Sequence, residues 1–98
     1  MTNEEKILMR ETDTLAEHFS DNAVKMAAAL YFEDYLECTR LKNEKNKYIA
    51  LYLQIMSLYT KVDDLTAVRE LDATYESILV KAKGEIHNIL KNNLHISK

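Results

Sequence analysis

Tyr48-Ile49-Ala50-Leu51-Tyr52-Leu53-Gln54-Ile55-Met56-Ser57-Leu58-Tyr59 is the stretch that decides the fold class. Ala50, Gln54 and Ser57 are its only small or polar residues, and with Lys47 and Lys61 they recur every three to four positions. That is a helical period, since a strand would alternate at every second residue. The five residues trace one narrow solvent line and leave about two-thirds of the circumference apolar, whereas a surface helix usually carries an apolar stripe about 100° wide. A helix so built must be surrounded, either by other helices of its own chain or by a second copy.

The rest of the chain agrees with an all-helical reading. Its 98 residues hold no proline, no tryptophan, one glycine (Gly84) and one cysteine (Cys38). Sandwiches and barrels need a turn signal about every 8 to 12 residues, and no Asn-Gly or Asp-Gly pair occurs. A disulfide scaffold or thiolate metal site needs more than one thiol, and 47% apolar residues is too many for a disordered chain.

Working outward from 48–59, the spacing predicts an elongated bundle of three to four helices over about 4–19, 22–42, 46–60 and 64–94. Thr2 with Glu5 makes a capping-box start. Ser20-Asp21-Asn22 is a set of good N-caps and reads as the first break. In the second helix, Val24, Ala28, Tyr31, Tyr35, Cys38 and Leu41 form the expected apolar face, and the alanines of the apolar run from Met26 to Phe32 suggest close helix contact. The polar gap Lys42 to Lys47 reads as the second break, although nothing in it forbids helix and the second and third elements are open to merging. Val62-Asp63-Asp64 is the third break. The stripe from Leu65 to Leu94 then runs in phase through Gly84, which is expected at a close helix crossing or a slight bend. An echo between Tyr31–Leu41 and Tyr48–Leu58, offset by 17 residues, lacks the features of a helical repeat.

Charge falls in blocks of alternating sign: −6 over residues 1–37, +4 over 38–62, −4 over 63–77 and +3 over 78–98. Acids early and bases late in a helix complement its dipole, which accounts for most of this segregation. No apolar run is long enough for a membrane span. The acidic start lacks signal-peptide order, so a cytoplasmic address is expected.

Constellations that carry chemistry are weak. Glu33, Asp34 and Glu37 form an acidic face within about one helical turn. A Mg-dependent helical nucleotide hydrolase would need a second carboxylate set downstream, and Glu70 with Asp72 is wrongly spaced. His18, His87 and His95 lack metal-ligand spacing, and His18 lacks the residues that follow a phosphorelay histidine. Cys38 reads as a buried thiol. Arg40, Lys42, Lys45 and Lys47, near Tyr48 and Tyr52, form a short basic run in a chain of pI about 5.6, which argues against nucleic acid as a partner. No catalytic, metal or cofactor site is expected.

Tyrosine is the strongest signal, with five of six between residues 31 and 59. Its apolar body and polar tip suit surfaces that are buried in a complex yet stable in water. Tyr31, Tyr35, Tyr48, Tyr52, Leu53, Met56 and Tyr59 are therefore the expected protein interface. The expected function is that of a small non-enzymatic regulator, adaptor or chaperone-like module, working as a homodimer or on a protein partner. The alternative is a virus- or plasmid-borne inhibitor of a host protein, in which Glu11, Glu17, Glu33, Asp34 and Glu37 imitate phosphate charge.

Overall fold

The structure, a computed structural model, describes residues 2–58 and 63–96. Three helices account for nearly all of them: α1 (Asn3–Tyr31), α2 (Tyr35–Met56) and α3 (Asp64–Ile96). The chain is an all-α bundle, 58 × 27 × 20 Å, with a radius of gyration of 16.6 Å. A compact globule of this length would have a radius near 12.5 Å, so the molecule is elongated. Among the described residues, no helix is long and apolar enough to cross a membrane.

The start of α1 follows the sequence, with Thr2 Oγ1 accepting the Glu5 N–H at 3.2 Å. The expected break at Ser20-Asp21-Asn22 does not occur, and α1 passes straight through it. The reason is that Asn22 does not cap. It is buried, and its amide Nδ2 donates to the Leu41 carbonyl of α2 at 3.0 Å while its Oδ1 accepts the Tyr75 hydroxyl of α3 at 2.5 Å. With its polar atoms satisfied by other helices, the side chain no longer competes with its own backbone.

α1 ends instead at Tyr31. Glu33 takes a left-handed backbone, φ 56°, while the Asp34 N–H reaches the Ala29 carbonyl at 2.8 Å and the Glu33 N–H reaches that of Leu30 at 3.2 Å. This is a Schellman closure built without glycine. Asp34 then caps α2, its carboxylate accepting the Glu37 N–H at 3.2 Å. Three residues thus reverse the chain.

The second expected break is also absent, since α2 is continuous through Lys42–Lys47. Lys45 ties that polar segment to α3, lying 3.2 Å from the Asp72 carboxylate and 4.3 Å from the centre of the Tyr75 ring. The third break stands, with Asp63 capping α3 through the Thr66 N–H and hydroxyl, both at 2.9 Å. α3 runs through Gly84 without interruption. A Cβ placed there would meet open space, so Gly84 is not at a close crossing.

α1 is the central helix, packed on both α2 and α3, which meet each other far less. Phe19, Ala23, Met26, Ala27 and Ala29 of α1 form the core with Leu41 of α2 and Tyr75, Leu79 and Ala82 of α3. Of the alanines expected at close contact, Ala27 and Ala29 are buried and Ala28 is half-buried, and Ala23 outside that run is wholly buried as well. The buried face differs from the expected one, however, because Val24 is exposed and the stripe runs through Phe19, Asn22 and Met26. Phe19 meets the rings of Tyr52 and Tyr75 edge-on, at 5.8 and 5.2 Å, joining all three helices.

Candidate functional site

α2 is where the architecture leaves its apolar surface least covered. Leu41 is its single fully buried residue, and from Tyr48 to Leu58 no side chain is buried. Leu51 and Leu58 are exposed, while Tyr48, Ile49, Tyr52, Leu53, Ile55 and Met56 are half-buried. The cause lies in the arrangement. With α1 against one side of α2 and α3 splayed away, Tyr48, Ile49 and Tyr52 pack on the edge of the core without being fully buried, and Leu51 and Leu58 face outward.

The splay opens a groove of about 340 Å³, lined by Met9, Thr12 and Asp13 of α1, Tyr52, Ile55 and Met56 of α2, and Leu71 of α3. Its size falls within the usual range of ligand sites, about 300 to 1,000 Å³. Thr12 spends its hydroxyl on the Leu8 carbonyl at 2.7 Å, so Asp13 and the Tyr52 phenol are the polar groups left at the wall. Burial, with help from the Asp13 charge, pushes the Tyr52 phenol above its ordinary pKa.

The expected interface residues divide between two ends of the bundle. Tyr52 and Met56 line the groove, with Leu53 half-buried beside them. Tyr48 lies higher on α2, stacked on His18 with ring centres 6.0 Å apart, and burial followed by the Glu44 carboxylate raises its pKa. Tyr31 and Tyr35 are at the α1–α2 turn. Tyr31 shares a hydrogen bond with His87 Nδ1 at 3.3 Å, and Tyr35 is exposed. Tyr59 lies outside the described residues.

The acidic trio sits at the same turn. Glu33 makes the left-handed corner, Asp34 caps α2, and Glu37 binds Arg40, which also holds Glu44 at 2.5 Å. The Arg40 guanidinium holds the Glu37 carboxyl below its ordinary pKa, and Glu37 in turn raises that of Arg40. Among the described residues, no three His, Cys, Asp or Glu side chains gather in a metal-holding group. Sequence reasoning missed Met9 and Ile55 as groove residues and missed Phe32 and Leu36, which are exposed beside Tyr35. The signal for the latter pair was present, as large apolar residues interleaved with carboxylates at a helix junction.

Compared with known proteins, the chain matches no protein family, no curated protein and no solved structure.

Proposed function

We propose that this chain is a non-enzymatic helical interaction module of the cytoplasm, a regulator or adaptor that works as a homodimer or bound to a protein partner. The observation that carries the reading is the incomplete cover of α2, where an apolar stretch from Tyr48 to Leu58 contains half-buried and exposed side chains but no fully buried one. Surface area supports it. The accessible surface is 7440 Å², against about 5,800 Å² expected of a compact chain of 11.4 kDa. The excess, roughly 1,600 Å², is about twice what one partner contributes to a standard interface. Contiguous apolar surface of this kind marks an association site.

The test is a titration with Nile red, a neutral apolar dye, run beside sedimentation equilibrium. Saturable dye binding by the folded chain is expected, reduced by Ile55→Gln combined with Met56→Gln. No dye signal together with a constant mass of 11.4 kDa would overturn the reading.

A further inference from the structure

α3 outruns the rest of the bundle. Its His87 is level with Tyr31, the last residue of α1, so Asn88–Ile96 continue for nine residues, about 13 Å, with no α1 beside them. α2 does not cover this extension either. The Lys45–Asp72 pair sets the antiparallel register, and counting ten residues from each partner puts Tyr35, the start of α2, level with about residue 82. The extension still carries apolar side chains, with Ile89 57% exposed and Leu90 half-buried.

A second unpartnered apolar surface lies beside it. At the α1–α2 turn Phe32 is 63% exposed, Tyr35 66% and Leu36 88%. Tyr31 joins the two surfaces, with its ring 5.3 Å from that of Phe32 and its hydroxyl on His87. Their charges are opposite. The turn presents Glu33 and Asp34, whereas Lys91 is the one charged residue of the extension over 88–93.

We infer that a second copy of this chain occupies this end of the bundle, the α3 extension of each copy covering Phe32 and Leu36 of the other across a twofold axis. A twofold contact requires surface i to meet j while j meets i, and the adjacency of both surfaces at one end meets that condition. Apolar faces are then covered reciprocally, and the Lys91 region of each copy faces the Glu33 region of the other. The inference rests on the interaction-module reading and names its partner. Residues 30–36 and 86–93 supply about fifteen residues per copy, short of the roughly 20 to 30 of a standard interface, so a weak, reversible dimer is expected.

Sedimentation equilibrium of the full chain from about 1 to 300 µM tests it. Wild type is expected to approach twice the monomer mass, and Leu36→Glu or Ile89→Glu to weaken association at least tenfold. Both positions are exposed, so helicity should stay unchanged, as should the melting temperature at dilutions where wild type is also monomeric. Lys91→Glu and Glu33→Lys should each weaken the dimer, and the two together should restore it, an outcome that a folding defect does not give. A dimer that survives Leu36→Glu and Ile89→Glu but is lost in Leu51→Glu would overturn the end contact while upholding the interaction-module reading. A monomer throughout would overturn the dimer, and Nile red binding would then decide the broader reading separately.

Discussion

Asn22 Oδ1 on α1 accepts the hydroxyl of Tyr75 on α3 at 2.5 Å, and the same Asn22 side chain donates to the Leu41 carbonyl of α2. One buried amide therefore fixes the register of all three helices. Burying it is favourable only because both its functions are satisfied.

The two partners should behave as a unit. Asn22→Leu leaves the Tyr75 hydroxyl with only the long contact to the backbone carbonyl of residue 22, at 3.5 Å, and should cost about 1 to 3 kcal/mol, since a poorly satisfied buried polar group bears much of its desolvation penalty. Tyr75→Phe should cost about 1 to 2 kcal/mol while keeping the ring under Lys45. Urea unfolding of both single variants and the double should show the double costing less than the two together. Strict additivity would mean that the pair is not coupled.

Alkaline pH should weaken the bundle. Burial, reinforced by Cys38 and Glu76, pushes the Tyr75 phenol up to about 12, against about 10 in an unfolded chain. The folded state holds this proton more tightly than the unfolded state. The corresponding stability is complete below about pH 10 and is lost as pH rises towards 12. Tyr48 and Tyr52 are raised in the same direction. Comparing urea midpoints of wild type and Tyr75→Phe at about pH 9 and pH 11.5 isolates this residue, because phenylalanine has no proton to lose. The gap between the two proteins should narrow at the higher pH, and a constant gap contradicts the assignment.

Glu33 occupies a left-handed position at φ 56°, where a Cβ costs about 1 to 2 kcal/mol and glycine is the favoured residue. Glu33→Gly should therefore stabilise the chain by about 1 kcal/mol in thermal or urea unfolding. The gain comes from the backbone, so it should persist at high salt. A loss of stability would mean that the turn is not closed as described.

At Gly84 the opposite substitution should help. The position is exposed mid-helix, and an added methyl meets nothing within 4 Å. Gly84→Ala should raise stability by about 0.4 to 1 kcal/mol, through helix propensity and a less flexible unfolded chain. Calorimetry would check it, and a drop in melting temperature would indicate a neighbour at that site.

The fold class, the capped start at Thr2, the Asp63 cap and the long last helix were all legible in the sequence, because each rests on local chemistry within a few residues. The breaks within 1–56 were not. Ser20-Asp21-Asn22 resembles a cap by composition, yet Leu15, Phe19, Asn22, Met26 and Ala29 continue a three-to-four-residue spacing straight through it, which was the contrary signal. What decided between them was tertiary, the amide reaching Leu41 and Tyr75. The true turn at Glu33 was hidden for the converse reason, since its left-handed residue is a glutamate, where a glycine would have marked a Schellman closure. At the candidate surface, Tyr52 was legible as a groove residue on α2, while the groove itself depends on a splay between α2 and α3 that no local pattern encodes.

The functional reading depends on the apolar side chains of α2 from Leu51 to Leu58 being only partly covered within their own chain. Methyl relaxation by a soluble paramagnetic agent, measured by NMR at low micromolar concentration, reads this most directly at Leu51, Ile55 and Met56, with Leu41 as the buried reference. The expected result is strong enhancement at Leu51, intermediate enhancement at Ile55 and Met56, and almost none at Leu41. Protection of Leu51, Ile55 and Met56 equal to that of Leu41 would contradict the account.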